Sequence, residues 1–251
     1  MARILLLDIE NAPNLAHVWG LWDENVSLKQ LQESAYILCW AAKWYKEPGI
    51  FFDSIHESSQ KGMLKGIHKL LNKADAVIHY NGSRHDIPIL NQEFVENGMM
   101  PPSPAKQIDL LTTVKNRFKF PSNKLEYVVK RLGVGEKIDT SLVGGHTLWV
   151  RCMNGDPAAW RLMKEYNIHD TVLLEGLYEK LLPWIKGHPN MGVYGTDSLV
   201  CTSCSSRNYI RRGMAVTRDN RYQRYQCKDC GSWFRATKPR VPKAGEKFSA
   251  I

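Results

Sequence analysis

The opening of the chain, residues 3–11, constrains the fold more than any other stretch. Four consecutive apolar residues at positions 4–7 are followed at once by Asp8, Ile9 and Glu10. Such a run predicts a fully buried β-strand whose end emerges at a polar site. Because side chains alternate along a strand, Asp8 and Glu10 project to the same side while Ile9 points into the core. We therefore expect the chain to fold around a strand that carries two neighbouring carboxylates.

Two carboxylates in one place repel each other, and a cation between them removes that cost. Hard divalent ions such as magnesium and manganese take oxygen ligands, so a metal site at Asp8 and Glu10 is one interpretation. A solvated strand end with two surface acids is the other. These two residues alone do not decide between the two interpretations.

The elements that follow predict a sheet with helices around it. Residues 35–45 and 50–54 are apolar and aromatic on either side of a Pro-Gly turn, which predicts a hairpin beside the first strand. Residues 60–72 have apolar positions at the spacing of an amphipathic helix, and residues 76–80 form a short buried strand. The alternation of strands and helices places the chain in the α/β class.

A polar turn follows that second strand and leads into a helix. Asn81 opens the turn, and Asp86 precedes Pro88, which the first turn of a helix tolerates because its missing N–H would be unpaired there. Asp86 has two interpretations from this segment: a functional carboxylate, or an N-cap for the helix. We interpret Asp109, which lies in an amphipathic run without a partner at a suitable spacing, as structural.

A long helix is predicted over residues 157–185, with Asp156 as its N-cap. Tyr166 and Asp170 are four residues apart in it, so they share one helical face. Taken singly, Tyr166 is better explained as a core residue than as a catalytic one, and Asp170 as a surface residue.

Taken together, these three segments resemble the motifs of the DEDD superfamily of 3′-to-5′ exonucleases. Asp8-Ile9-Glu10 resembles the first motif, and the segment from Asn81 through Asp86 to Pro88 resembles the second as found in proofreading domains of family B DNA polymerases. Tyr166, which precedes Asp170 by four residues, resembles the third motif as found in the tyrosine subgroup. The resemblance covers about residues 1–185. Asn11 and His85 depart from the residues common at their positions.

The resemblance implies a ribonuclease H-like fold, a mixed sheet flanked by helices. It also implies that Asp8, Glu10, Asp86 and Asp170 hold two Mg²⁺ or Mn²⁺ ions, that Tyr166 orients the attacking water, and that Asn81 contacts nucleic acid. Two divalent ions ~3.5–4 Å apart activate water and stabilise the departing sugar oxygen in phosphodiester hydrolysis. Four carboxylates from three separate elements are enough to hold such a pair.

The net positive charge of the chain comes from its last fifth. Residues 201–251 contain twelve Lys and Arg against three acidic residues, which accounts for the whole formal net charge of +9. A neutral body with a basic appendage indicates an element that binds polyanions, nucleic acid above all.

The same region contains two C-x2-C pairs separated by 22 residues, formed by Cys201, Cys204, Cys227 and Cys230. Four thiolates in two knuckles predict one structural Zn²⁺ in a zinc ribbon. Two disulfides are the alternative, which fits poorly with a chain that shows no secretion signal. Cys39 and Cys152 are isolated in apolar surroundings, and we interpret them as buried thiols.

Arginines and aromatic residues are interleaved in the predicted ribbon, a combination typical of single-strand binding proteins. The expected nucleic-acid-binding arginines are Arg207, Arg211, Arg212, Arg221, Arg224 and Arg235. Some of the aromatic side chains must form the small core of the ribbon, with Trp233 or Phe234 the expected candidates.

We therefore predict an exonuclease domain over residues 1–186, a linker over 187–199, a zinc ribbon over 200–236 and a basic flexible tail over 237–251. The expected activity is metal-dependent 3′-to-5′ hydrolysis of DNA, with RNA as the nearest alternative substrate. A non-catalytic nucleic-acid-binding scaffold is the alternative of another class, and the ribbon could instead contact a protein partner. No apolar run approaches the ~20 residues of a membrane span, so we expect a cytoplasmic protein.

Overall fold

The computed structural model describes residues 2–139, 145–195 and 199–240. It divides into two compact units, a first unit over Arg3–Leu177 and a ribbon unit that begins at Tyr178. The division falls within the last long helix, upstream of the boundary expected at residue 186.

The first unit contains a five-stranded mixed sheet in the order β5-β4-β1-β6-β7, beside a small separate pair, β2-β3. The strands are β1 (Ile4–Asn11), β2 (Leu15–Ala16), β3 (Leu31–Glu33), β4 (Ile37–Trp44), β5 (Ile50–Ser54), β6 (Ala76–His79) and β7 (Lys106–Asp109). β1 pairs antiparallel with β4 and parallel with β6, and β4 and β5 form the hairpin that the sequence predicts. The predicted mixed sheet is confirmed.

β1 lies at the centre of this sheet because it is apolar on both faces. Leu5, Leu6 and Leu7 are fully buried between the helical layers, as expected for a strand with neighbours on both sides and helices on both faces. Ile9 is also buried and belongs to the same apolar cluster as Trp40. The expectation that Ile9 points into the core is therefore confirmed.

The described residues of the first unit contain six α-helices: α1 (Gln60–Leu71), α2 (Asp86–Glu96), α3 (Leu110–Arg117), α4 (Leu125–Arg131), α5 (His146–Met153) and α6 (Pro157–Leu181), the last of which continues into the ribbon unit. Asp156 accepts a hydrogen bond from the N–H of Ala158 at 2.8 Å, which confirms it as the cap of α6. Asp109 caps α3 through the N–H of Leu111 at 3.0 Å, which confirms its structural role. Among the described residues, no helix combines the length and apolar character needed to cross a bilayer.

The ribbon unit is built on a three-stranded antiparallel sheet in the order β10-β9-β8. Its strands are β8 (Tyr209–Val216), β9 (Arg221–Cys227) and β10 (Trp233–Arg235). Two short 3-10 helices, Leu182–Trp184 and Met191–Tyr194, precede the sheet, and the second lies within the predicted linker. Residues 196–198 of that linker, and residues 241–251 of the predicted tail, lie outside the described residues.

Candidate active site

Three carboxylates meet at the end of β1. Asp8 and Glu10 come from β1 and Asp170 comes from the middle of α6, and one carboxylate oxygen from each lies within 4.8 Å of the others. The two acids of β1 share one side of the strand, as the alternation of side chains predicts. Asp8 and Glu10 are each partly buried in this cluster, which favours the metal-site interpretation over that of two solvated surface acids.

The carboxylates of this cluster carry more negative charge than the positively charged groups near them can balance. Burial raises the pKa of the Asp8 carboxyl well above its ordinary value, and the charges of Glu10, Asp86 and Asp170 raise it further. Burial and the charge of Asp170 raise the pKa of Glu10 to about 8. Bound cations would relieve both the repulsion and the desolvation cost, so the donor set fits hard divalent metal ions.

Asp86 lies beside this triad and not within it. Its side chain is buried at the start of α2, and its Oδ1 accepts a hydrogen bond from the backbone N–H of Ile9 at 3.2 Å. The interpretation of Asp86 as an N-cap is wrong, because it is the first helical residue and the cap position belongs to His85. The Asp86 carboxylate therefore faces β1, where its charge contributes to the raised pKa values of Asp8 and Glu10.

The turn between β6 and α2 fixes the position of Asp86. Asn81 has a left-handed backbone, with φ of 70°, and its N–H donates to Asp109 Oδ1 at 3.0 Å. A side chain at Gly82 would overlap the imidazole of His79, so this position requires glycine. Asn81 stands at the entrance of the turn that leads to the acidic cluster.

Lys137 is a member of the site that sequence reasoning missed. Its Nζ lies 2.5 Å from Asp170 Oδ2 and donates a hydrogen bond to the Tyr166 hydroxyl at 2.8 Å. Burial disfavours the charge of Lys137, but Asp170 and Tyr166 outweigh it and raise the pKa of the ammonium group above its ordinary value. Lys137 is thus a fixed positive charge at the edge of the carboxylates.

Tyr166 stands on the same face of α6 as Asp170, as predicted. Burial, followed by the charges of Asp170 and Glu10, raises the pKa of its phenol above the ordinary value. The hydroxyl therefore remains protonated at neutral pH. A protonated phenol is suited to orienting a water molecule and not to acting as a general base.

Two further side chains hold the acids of β1 in place. Asn167 is completely buried, and its Nδ2 donates to Asp8 Oδ2 at 2.7 Å. The Trp149 indole on α5 donates to Glu10 Oε2 at 3.1 Å, and its ring packs edge-on against Tyr166. The spacing of Asn167 from Asp170, three residues on one helix, was a usable sequence signal. Trp149 had no such signal.

Removing these two donors is expected to weaken metal binding at the acidic cluster. Groups that orient metal ligands are worth about 10- to 100-fold in metal affinity, and we expect this loss from both Asn167→Leu and Trp149→Phe. Trp149→Phe keeps an aromatic ring beside Tyr166 while removing the N–H. Titration of Mn²⁺ followed by calorimetry measures the effect. Trp160→Phe, at a buried tryptophan that does not contact these carboxylates, is the control, and equal Mn²⁺ affinity in all variants would contradict the assignment.

Comparison with known proteins identifies the superfamily of the chain. The model of the RNase_H superfamily matches residues 24–182, which is more than half of the chain. The chain belongs to the RNase_H superfamily. The matched range includes Asp86, Tyr166 and Asp170 but begins after Asp8 and Glu10, which the structure places beside Asp170. The expected resemblance to the exonuclease-like fold of this superfamily is confirmed.

Among solved structures, this RNase_H superfamily protein is similar to the family B DNA polymerase from the hyperthermophilic archaeon Pyrobaculum calidifontis. The two are 18% identical, with a TM-score of 0.56, over 73% of this chain and 25% of the polymerase. The chain therefore spans about a quarter of the length of that polymerase, and the likeness establishes a shared fold. No curated protein matches the chain. The superfamily and its fold support nuclease activity.

The ribbon unit contains a second candidate metal centre. One Sγ atom from each of Cys201, Cys204, Cys227 and Cys230 lies within 4.8 Å of the others. The Sγ atoms of Cys201 and Cys230 lie 3.6 Å apart, and so do those of Cys204 and Cys227. None of the four cysteines forms a disulfide. A disulfide would require a separation of ~2.05 Å, so the arrangement is that of a four-thiolate metal site and not of two disulfides.

The two other cysteines and the ribbon aromatics divide between core and surface. Cys39 and Cys152 are buried in the first unit, as predicted. Phe234 packs against Tyr225 with ring centroids 5.4 Å apart, whereas Trp233 remains 49% exposed. The expected core role therefore holds for Phe234 and is wrong for Trp233.

The arginines expected to contact nucleic acid are spread over the ribbon and are not gathered on one side of it. Arg224 pairs with Arg235 across β9 and β10, so their side chains share one face of the sheet. Arg211 pairs with Tyr225, and Arg221 with Val216, on the opposite face. Arg207 precedes β8, and Arg212 lies in the irregular part of β8 between Arg211 and Met214.

Proposed function

We propose that this chain is a metal-dependent 3′-to-5′ exonuclease that hydrolyses phosphodiester bonds of DNA at unpaired 3′ ends. The observation that carries the proposal is the cluster of Asp8, Glu10 and the buried Asp170, with Asp86 at its side. Asp170 Oδ1 is buried there without a hydrogen-bond partner in the described structure. A buried carboxylate oxygen without a hydrogen-bond partner, with further carboxylates beside it, is a suitable ligand for a metal ion.

Each side chain of the site has a distinct role in this reaction. Two Mg²⁺ or Mn²⁺ ions, held by Asp8, Glu10, Asp86 and Asp170, would activate water and stabilise the leaving sugar oxygen. The Tyr166 hydroxyl orients the water molecule by hydrogen bonding. Lys137 places a positive charge where negative charge grows on the phosphate oxygens, which lowers the barrier electrostatically.

DNA is favoured as the substrate for two reasons. The second motif, from Asn81 to Pro88, resembles that of polymerase proofreading domains, and the solved structure that the chain resembles belongs to a DNA polymerase. Asn81, at the entrance of the turn before Asp86, is the residue that we expect to contact the terminal nucleotide. A non-catalytic scaffold is disfavoured, since clustered carboxylates repel phosphate and give a binding module no advantage.

The ribbon unit, with one structural Zn²⁺ bound by its four cysteines, acts in this proposal as a tether. Nucleic acid bound to the ribbon unit has a high effective concentration for the first unit, which raises the frequency with which its 3′ end meets the acidic cluster. Deletion of residues 201–251 should therefore weaken binding of nucleic acid. Unchanged affinity after that deletion would point instead to a protein partner for the ribbon.

A time course on 5′-labelled single strands tests the activity. DNA and RNA of the same sequence are incubated with Mg²⁺ or Mn²⁺ and either the wild-type chain or Asp8→Ala. We expect a ladder that shortens from the 3′ end of DNA and is absent with the variant. A ladder seen with RNA alone would show that RNA and not DNA is the substrate. Tight binding of both strands without cleavage would favour the non-catalytic scaffold.

A further inference from the structure

The aromatic rings of the ribbon sheet pack differently on its two faces. Phe234 pairs opposite Tyr225, and Tyr209 pairs opposite Cys227, two residues further along β9. These three aromatic rings therefore share one face, where their centroids lie 5.4 to 5.5 Å apart. The Tyr209 hydroxyl also donates to the carbonyl of Leu199 at 3.3 Å, so the preceding chain lies on this side. We call this the inner face; it forms the core of the ribbon.

The opposite side presents aromatic rings and guanidinium groups together. This outer face includes Tyr222 and Arg224 of β9, which share a face by alternation, and Trp233 and Arg235 of β10, which pair opposite Gln226 and Arg224. The Arg224 guanidinium lies 4.8 Å from the centre of the Trp233 ring, and that of Arg235 lies 3.9 Å from the centre of the Tyr222 ring. The face thus contains two cation–π pairs on neighbouring strands.

The outer face is held in place before any ligand binds. Arg224 Nε donates to the backbone carbonyl of Arg212 at 2.9 Å, which fixes the plane of its guanidinium group. Backbone pairing between β9 and β10 fixes the spacing of the rings. Trp233 remains about half exposed although its ring faces Arg224. An arrangement that is ordered in advance loses little conformational entropy on binding.

We propose that the outer face binds unpaired nucleic-acid bases by stacking, with Arg224 and Arg235 pairing with the adjacent phosphates. The inference rests on the proposed nucleic-acid binding of the ribbon and deepens it by naming the ligand, a single strand. Aromatic rings and guanidinium planes are both surfaces on which unstacked bases stack. Bases inside a duplex are already stacked on one another, so they are not accessible to Trp233 or Tyr222.

The charge of the ribbon complements this ligand. Residues 199–240 contain ten Lys and Arg against two acidic residues, Asp219 and Asp229. Asp229 accepts hydrogen bonds from Ser206 Oγ and Asn208 Nδ2, both at 2.5 Å, which ties its carboxylate to the first knuckle. Phosphates of a bound strand therefore meet a strongly positive surface.

The test measures binding in the full-length Asp8→Ala chain, so that the probe is not degraded. Fluorescence anisotropy gives the Kd of a labelled oligothymidylate and of a duplex of the same length. We expect Trp233→Ala and Tyr222→Ala each to weaken binding of the single strand about tenfold and to leave the duplex unchanged. Arg224→Gln should lower the slope of log Kd against log salt concentration by about one, because one phosphate contact is lost. The two aromatic variants should leave this slope unchanged.

Trp184→Ala is the matched control, because Trp184 is 54% exposed and lies outside the ribbon sheet. Zinc content, measured for every variant, verifies that the ribbon remains folded. Trp233→Phe keeps an aromatic ring and should retain most of the affinity for the single strand. If Trp233→Ala binds the single strand as tightly as the control, or loses single strand and duplex equally, the stacking proposal is wrong. Absence of binding to either probe would overturn it as well. Failure of the wild-type chain to cleave DNA would overturn only the exonuclease proposal.

Discussion

Replacing Asp170 by alanine is expected to reduce hydrolysis of a DNA 3′ end by more than about 100-fold, since even the groups that orient metal ligands contribute about 10- to 100-fold. Asp170 is the residue at which the acidic cluster, Lys137 and Tyr166 meet. Its loss removes a proposed metal ligand and also leaves the ammonium group of Lys137 without its closest counter-charge. Initial rates on a 5′-labelled strand at saturating Mg²⁺ measure the effect.

The control for this experiment lies on the same helix. Glu165 is exposed on α6, next to Tyr166 in the chain but on the solvent side, so Glu165→Gln should retain wild-type rates. Thermal denaturation of both variants separates a loss of chemistry from a loss of fold. The proposal is contradicted if folded Asp170→Ala hydrolyses DNA as fast as Glu165→Gln.

Removal of zinc is expected to unfold the ribbon and to leave the first unit folded. The aromatic core of the ribbon sheet consists of Tyr209, Tyr225 and Phe234, and a module of about 40 residues buries too little apolar surface to fold alone. Structural zinc sites supply about 10–16 kcal/mol of binding free energy, which here becomes folding free energy. The expected result is loss of amide protection in β8, β9 and β10 on addition of a zinc-selective chelator.

Substitution of a ligand should reproduce the effect of the chelator. Cys227→Ser removes a buried thiol of the second knuckle, whereas Cys152→Ser changes a buried thiol of the first unit. We expect the first variant to lose its bound zinc and the protection of the ribbon strands, and the second to keep both. Ribbon strands that stay protected from exchange after the metal is gone would show that zinc does not hold this unit together.

The sequence predicted those parts of the fold and site that depend on local pattern. The apolar run before Asp8 indicated the central strand, and the four-residue spacing of Tyr166 and Asp170 indicated a shared helical face. Both features depend only on the periodicity of one element. The small pair β2-β3 was not predicted, because each strand has only two or three residues.

The parts that the sequence could not provide depend on tertiary contacts. Lys137 and Trp149 reach the carboxylates from segments far from any motif. The role of Asp86 was ambiguous because its partner, the N–H of Ile9, belongs to another strand. The choice between Trp233 and Phe234 depended on register, since a shift of one residue exchanges the two faces of a strand.

The most direct test of the central claim, that the four acids hold metal ions which act on the terminal phosphate, is a metal-rescue measurement. A 5′-labelled DNA strand with one phosphorothioate near its 3′ end is digested in Mg²⁺ and in Mn²⁺. Sulfur is a poor ligand for Mg²⁺ and a better one for softer Mn²⁺, so we expect the ladder to stop at the modified linkage in Mg²⁺ and to pass it in Mn²⁺. Equal passage in both ions, or cuts within the strand in place of a ladder, would contradict the account.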